Sequence, residues 1–259
     1  MPELIEVEAY RQAADRAVGR TITGVEAPDP WYLKAGTTSA ALRQALSGAV
    51  VTGTRRIGKL LLLDADRHTV GLRFGMTGRL VLDGTAPIAR LEYSSARDDP
   101  AWIRFRVRFD AGGELRVVDP RRLGGVLLDP DTDHLGLDAL TVRPAQLRDR
   151  LARSRAPIKA WLLDQSHLAS VGNLLADEIL WRASIDPARP ASSLDPREVR
   201  RLHRHVLGTI TDLTDRGGSH TGDLQVARMR GATCPRDGAP LERRTIGGRT
   251  TYSCPQHQR

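Results

Sequence analysis

Cysteine is nearly missing from this 259-residue chain: Cys234 and Cys254 are the only two, and both lie near the carboxyl end. A scaffold stapled by several disulfides is thereby excluded, and a chain of this length buries enough core without cross-links. Long apolar runs are missing too. No stretch of about 18 apolar residues suggests a membrane span and no apolar signal segment opens the chain, so a soluble intracellular protein is expected. Aromatic residues make up only 4%, too few for a surface built from rows of stacking rings.

What is abundant is positive charge. Lys plus Arg number 39 against 31 Asp plus Glu, a net charge of +8, which suits a polyanionic partner. Arginine dominates, and GC-rich coding alone enriches arginine, so charge by itself points only weakly to nucleic acid. The length fits one large or two modest domains.

Apolar residues Leu4, Val7, Ala14 and Val18 recur at helical spacing between Glu3 and Val18, with Gly19 as a stop. Ile22 to Val25 reads as a strand, and Ser39 is placed to cap a helix running to Leu46. After Gly48 the pattern turns to β. Short apolar or alternating runs at Val50–Val51, Leu60–Leu63, Val70–Phe74, Leu80–Leu82, Trp102–Phe109, Leu115–Val118 and Val126–Leu128 are separated by Gly, Asp and Pro. Ala111-Gly112-Gly113 supplies a hairpin turn after the strictly alternating Ile103–Phe109. These runs predict a β-sandwich with flanking helices. Asp129–Arg143 reads as a connector, and helices are predicted over 144–153, 157–164, 173–183 and 195–215. His203 and His205, two apart on the last of these, cannot share a face and read as surface residues.

Several short stretches carry chemistry. Met1-Pro2-Glu3-Leu4-Ile5-Glu6-Val7-Glu8 places a proline beside the initiator methionine. Removal of that methionine leaves a secondary amine able to attack an electrophilic carbon, although proline is also an ordinary helix starter. Lys59 follows Gly58 at a strand entrance, where most lysines are merely solvated. Met76 stands between Gly75 and Gly78 in a turn, a position in which an apolar tip has reason to be inserted somewhere. Asp119-Pro120-Arg121-Arg122-Leu123-Gly124 puts two arginines and a leucine on a tight turn; arginines hold phosphate and an apolar wedge enters a base stack. Gly172-Asn173 feeds a helix amino terminus, a place that binds anions, though a capping asparagine is common there. Cys234-Pro-Arg-Asp237 and Cys254-Pro-Gln-His257 form paired knuckles with sixteen residues between them, a spacing that suggests a zinc ribbon.

Taken jointly and in order, these stretches resemble the formamidopyrimidine-DNA glycosylase and endonuclease VIII family. The match rests on Pro2-Glu3-Leu4 with Glu6, Gly58-Lys59, Gly75-Met76-Thr77-Gly78-Arg79-Leu80, Asp119-Pro120-Arg121-Arg122, Leu163-Asp164-Gln165, Gly172-Asn173, Ala176-Asp177-Glu178-Ile179-Leu180 and the terminal finger. The resemblance implies an α+β protein. It has a catalytic β-sandwich over 1–130, a helix-two-turn-helix domain over 144–216 and a zinc-finger-like hairpin over 228–259, with damaged double-stranded DNA bound in a cleft. It further implies a cytoplasmic, nucleoid-associated monomer that flips the damaged nucleotide out of the duplex.

By the same resemblance Pro2 is the nucleophile, Glu3 the acid at the sugar oxygen and Lys59 a phosphate contact that assists catalysis. Met76, Arg121 and Leu123 fill the space left by the flipped base. Arg122, Asn173 and Arg249 contact phosphate, and Cys234, Asp237, Cys254 and His257 hold one structural zinc ion. The activity implied is base excision with AP lyase cleavage by β,δ-elimination on formamidopyrimidine, 8-oxoguanine or oxidised pyrimidines. The competing class is a DNA-binding damage sensor of the same fold without catalysis. Five departures stand out: Ile5 where many members have a second proline, Leu123 where phenylalanine is usual, Ser170 where glycine is common, a short 217–234 stretch where purine-specific members carry a long loop that caps 8-oxoguanine, and Asp237 and His257 in place of two finger cysteines.

Overall fold

In a computed structural model, which describes residues 2–88, 91, 97 and 99–259, the chain divides into two compact units, Met1–Thr132 and Asp133–Arg259. Met1 itself lies outside the described residues.

The first unit opens with helix α1 (Leu4–Ala14), then strand β1 (Ile22–Glu26) and helix α2 (Ser39–Leu46). Seven further strands follow: β2 (Val51–Ile57), β3 (Leu60–Ala65), β4 (His68–Arg73), β5 (Arg79–Leu82), β6 (Ile103–Phe109), β7 (Glu114–Val118) and β8 (Gly125–Leu128). They form two antiparallel four-stranded sheets in the orders β1-β6-β7-β5 and β2-β3-β4-β8. The period-2 pattern fixes which side of each strand is buried. On β6, Ile103, Phe105, Val107 and Phe109 are buried while Arg104, Arg106 and Arg108 point the other way. One apolar core joins Val7, Tyr10 and Ala14 of α1 and Leu42 and Leu46 of α2 to Leu61, Leu63, Val70, Leu72, Leu80, Leu82, Phe105 and Val107 of the strands.

Three local readings are corrected. Helix α1 stops at Ala14, and Asp15–Ala17 tighten into a 3-10 turn because the Asp15 carboxylate is drawn to Arg11 and Thr54. Thr38, not Ser39, caps α2: its hydroxyl accepts from the Ala41 amide at 3.1 Å, and the Ser39 hydroxyl donates to the Ala27 carbonyl instead. Strand β2 runs beyond the expected Val50–Val51 through Arg55, Arg56 and Ile57, whose charges obscure the alternation.

The second unit contains β9 (Leu137–Asp138), α3 (Pro144–Leu151), α4 (Ile158–Leu163), β10 (Leu168–Ala169), α5 (Asn173–Ala183), α6 (Pro196–Asp215) and the hairpin β11 (Glu242–Ile246) and β12 (Arg249–Ser253). Helices α4 and α5 are joined by two turns that Gln165 binds together. Its amide donates to the carbonyls of Leu163 (2.8 Å) and Val171 (3.1 Å) and accepts from the Ser170 amide (3.0 Å). Ser170 sits at φ +118°, a region that favours glycine, and is held there by its hydroxyl bonding to Asp138 at 3.0 Å. Helix α6 starts on a capping box formed by Asp195 and Glu198. Its two histidines are half-buried rather than surface groups; His203 Nε2 meets the Val142 carbonyl at 2.7 Å, and burial pushes the His205 pKa down. No helix among the described residues is long and apolar enough to cross a membrane.

Buried charge fastens the terminal hairpin to α4 and α5. Lys159 and Asp177 are almost wholly inaccessible and pair at 2.6 Å, and Asp177 also holds Arg228 and the Tyr252 amide. Lys159 Nζ donates in addition to the Thr250 carbonyl (3.1 Å) and the Thr251 hydroxyl (2.7 Å). Breaking such a set from one side strands a buried cation. Asp177→Ala is therefore expected to lower the unfolding free energy by about 3–5 kcal/mol, measured by urea unfolding, with a smaller loss in a Lys159→Met/Asp177→Leu double variant. Equal losses in the two proteins would contradict this account.

Candidate active site and nucleic-acid interface

The amino terminus leads directly into a buried carboxylate. Pro2 is buried, Glu3 is fully buried, and the Glu3 amide donates to Glu6 Oε2 at 2.8 Å as α1 begins. That bond fixes the direction in which residue 2 leaves the helix. Further along the same helix, the Tyr10 hydroxyl donates to the Gly78 carbonyl at 3.3 Å and its ring lies 4.6 Å from that of Phe74. Burial, and after it the charge of Glu6, pushes the Tyr10 pKa up, so the phenol stays neutral.

Lys59 occupies the second position of the two-residue turn between β2 and β3. Gly58 takes φ +60° and Lys59 does not, the pattern of a type II′ hairpin. The turn is tied back to α1. Arg56 Nε pairs with Glu8 Oε2 at 3.1 Å, while its NH1 donates to the Gly58 carbonyl at 2.8 Å. One guanidinium thus links the helix that carries Pro2 and Glu3 to the turn that carries Lys59.

The two loops expected to enter DNA are clamped together. The Thr77 hydroxyl donates to Asp119 Oδ1 at 2.5 Å, and the same carboxylate accepts from the amides of Arg121 (3.2 Å) and Gly124 (2.9 Å). Thr77 and Asp119 are fully buried. Gly75 is required by contact as well as by its φ of +56°, since a Cβ there would run into the Leu123 carbonyl and the Gly124 amide. On this base Met76 is half-buried, Arg121 exposed and Leu123 50% exposed. Arg122, with φ +57°, makes a bidentate pair with Asp29, both bonds at 2.7 Å. That pair pulls the Asp29 pKa down, and the carboxylate keeps its charge until the pH falls below the usual carboxylate range.

In the second unit, Gly172 rather than Asn173 is the helix cap. Asn173 is the first residue of α5, and its Nδ2 donates to the Thr250 carbonyl at 3.2 Å, the carbonyl that Lys159 also holds. Arg249 is exposed beside Gly247-Gly248 at the hairpin tip. Asn173 and the residue following Arg249 are thus joined directly.

Cys234, Asp237, Cys254 and His257 bring one ligand atom each to within 4.8 Å of one another, a cluster that can hold a metal ion. The Cys234 Sγ–His257 Nδ1 separation is 3.8 Å and Cys254 Sγ lies 3.3 Å from Asp237 Oδ2. Those two separations match the ligand–ligand edges of a tetrahedral zinc site, about 3.3–3.8 Å, while His257 Nδ1 and Asp237 Oδ2, 2.6 Å apart, must separate to admit the ion. The surroundings fit as well. Trp181 Nε1 and the Arg236 amide both donate to Cys234 Sγ, at 3.3 and 3.4 Å. His257 faces an acceptor at each nitrogen, the Trp181 carbonyl at Nε2 (3.3 Å) and Asp237 at Nδ1 (2.6 Å). A neutral ring cannot donate to both; a cation between Nδ1 and Asp237 resolves that conflict, with the Nε2–H oriented by the carbonyl.

Arg56, the Thr77–Asp119 clamp and Lys159 were not found by reading motifs. A compositional signal was available: Lys34, Lys59 and Lys159 are the only lysines among the 39 basic residues, and Asn173 is the only asparagine.

The family model for the formamidopyrimidine-DNA glycosylase N-terminal domain matches residues 1–126, and the model for the H2TH domain of the same proteins matches residues 135–224. The chain belongs to the formamidopyrimidine-DNA glycosylase family. It is 33% identical to the formamidopyrimidine-DNA glycosylase of Pelotomaculum thermopropionicum, over all of this chain and 99% of that protein. With the corresponding protein of Symbiobacterium thermophilum the identity is 37%, over all of this chain and 89% of the relative. Among solved structures, LlFpg in complex with a THF-DNA and an inhibitor superposes with a TM-score of 0.83 at 28% identity, both chains being fully covered. The Lactococcus lactis Fpg bound to a FAPY-dG-containing DNA gives 0.82 at 27% identity, covering 99% of this chain and all of that one.

Proposed function

We propose that this protein is a bifunctional DNA glycosylase and AP lyase that excises oxidatively damaged bases from duplex DNA, with Pro2 as the nucleophile. The observation that carries the reading is the buried Glu3 carboxyl directly behind Pro2, on a helix that Arg56 ties to the Lys59 turn. A protein that only binds DNA has no use for an amine, a buried acid and a lysine held to one helix.

With Met1 removed, the Pro2 nitrogen lone pair attacks C1′, the base departs with the electrons of the glycosidic bond, and the proton lost from the Pro2 nitrogen balances the charge on the departing base. Glu3 donates a proton to the sugar ring oxygen, the ring opens, and a C1′ iminium forms. The iminium acidifies C2′; loss of that proton expels the 3′ phosphate by β-elimination, and a second elimination expels the 5′ phosphate. Water then hydrolyses the iminium and frees Pro2. Lys59 holds a phosphate beside the lesion and stabilises charge as it develops. Met76, Arg121 and Leu123 occupy the space of the flipped nucleotide, and Arg122, Asn173 and Arg249 hold phosphates. Zinc held by Cys234, Asp237, Cys254 and His257 supplies structural support to the hairpin that presents Arg249. Borohydride capture of a covalent complex on duplexes carrying an abasic site, 8-oxoguanine or an oxidised pyrimidine tests this reading; no capture on any of them rejects it.

The segment after α6 bears on which lesion is preferred. Ser219–Thr221 and Gln225–Ala227 are single turns, and Glu178 receives the Asp223 and Leu224 amides at 3.0 and 2.9 Å between them. So short and pinned a segment supplies no long cap for a flipped purine, and the relative rates across the same duplexes measure the consequence.

Because Arg56 donates to the Gly58 carbonyl of the turn, it acts by positioning Lys59. Arg56→Ala is expected to slow single-turnover excision about tenfold while DNA affinity changes less than about threefold. In a Lys59→Ala background it should add nothing. An independent, additive loss in the double variant would show that Arg56 works some other way.

A further inference from the structure

Among the described residues, the few aromatic side chains are buried or half-buried, with one exception. Of those described, Trp31 alone is exposed, with 67% of its surface accessible. Its backbone is held firmly. Asp29 Oδ1 accepts from the Trp31 amide at 3.1 Å, and Tyr32, fully buried, reaches the Arg73 carbonyl at 3.3 Å. The Lys34 amide donates to the Val126 carbonyl at 2.9 Å. The indole is thus carried on a rigid support and left in solvent, although burial of so large a side chain is ordinarily favourable.

The support belongs to the wedge turn. Asp29, which caps the Trp31 turn, is the carboxylate that grips Arg122 with both oxygens, and Arg104 lies 3.6 Å from it. Residues 32–34 run along 124–126, close enough that a Cβ at Gly124 would strike the Tyr32 hydroxyl. Lys34, one of the three lysines, places Nζ 4.8 Å from the centre of the Trp31 ring while donating to the Trp31 carbonyl at 2.6 Å. Around the indole and its turn, therefore, Arg104 and Arg122 pair with Asp29, and Lys34 is the cation set against the ring.

We propose that Trp31 is a stacking platform for a nucleobase displaced from the duplex beside the lesion, with Lys34 moving from the indole face to the phosphate of that nucleotide. An aromatic face rimmed by cations suits an unstacked base on a polyanionic strand. A protein partner would call for a contiguous apolar patch, whereas the neighbour against this ring is the Lys34 ammonium. The proposal rests on the DNA-binding reading above and adds a contact to it.

The test is equilibrium binding of the wild type, Trp31→Phe and Trp31→Ala to two duplexes. One carries a reduced abasic site flanked by an unpaired base, and the other is fully paired. Trp31→Ala is expected to bind the first about tenfold more weakly and the second within about twofold of the wild type, with Trp31→Phe close to the wild type on both. Indole emission, isolated by difference from Trp31→Phe, should be quenched on binding the first duplex and become shielded from acrylamide. Unchanged binding by Trp31→Ala, an equal loss on both duplexes, or emission that stays open to acrylamide would overturn the platform. Failure of the wild type to prefer the damaged duplex would instead overturn the functional reading on which it rests.

Discussion

Extending the chain by one residue ahead of Pro2, or retaining Met1, is expected to abolish covalent capture and to slow base excision on the order of a thousandfold or more. The reason is chemical. As an amide, the Pro2 nitrogen has its lone pair delocalised into a carbonyl, and no iminium can form. A finer comparison is Pro2→Gly. A primary amine still attacks C1′ but gives a protonated imine that can lose its N–H proton and its charge, whereas the proline adduct carries a fixed positive charge. Pro2→Gly should therefore retain capture at a reduced rate and lose more of the elimination steps than of base release. The folded state offers a control, because residue 2 precedes the Glu3–Glu6 bond that starts α1, so each variant should keep its melting temperature and DNA affinity. Intact-mass measurement establishes which amino terminus is present, and borohydride capture with gel analysis of both strand ends gives the rates. Undiminished capture by the extended protein would remove Pro2 from the mechanism. Full DNA binding without excision by the wild type would identify a damage sensor.

The parts of this architecture that could be read from the sequence are those written in local patterns. Strict alternation gave β6 its buried side, Gly58 and Gly112-Gly113 marked hairpin turns, and two Cys-Pro knuckles marked the terminal cluster. The expected residues Pro2, Glu3 and Lys59 were likewise named by short motifs. What stayed hidden depends on contacts between distant positions. Arg122 and Asp29 are 93 residues apart, Thr77 and Asp119 are 42 apart, and Lys159 meets Thr250 and Thr251 across more than 90. No periodicity encodes such pairs. Lys159 in particular reads as a surface lysine within an apolar helix, and only the fold brings Asp177 to its ammonium. Short-range details failed where two hydroxyls compete: Thr38 and Ser39 are both good caps, and the Ala27 carbonyl took Ser39.

The terminal hairpin is anchored at two places, and its dependence on metal follows from that. At the tip, the Thr250 carbonyl is bound by Lys159 and Asn173, and Gly247 packs closely on Ala160. At the base, the strands lead into two knuckles whose donor atoms include the Cys254 thiol, which burial pushes up to about 11, and the Asp237 carboxylate, held low chiefly by His257. Without a cation Cys254 remains a thiol and only hydrogen bonds hold the knuckles; with one, a thiolate replaces it and the four donors close on a single centre. Purified protein is accordingly expected to hold one equivalent of zinc. Chelation or Cys234→Ser should lower the melting temperature and weaken DNA binding about tenfold or more, since Arg249 projects from this hairpin and structural zinc contributes on the order of 10 kcal/mol in small finger peptides. Asp237→Cys should keep the metal and resist chelation better, because a third thiolate suits zinc more than a carboxylate does. Excision by the first unit at saturating DNA should survive better than affinity does. Less than about a tenth of an equivalent of zinc, together with a melting temperature indifferent to chelator, would leave the cluster as a hydrogen-bonded clasp.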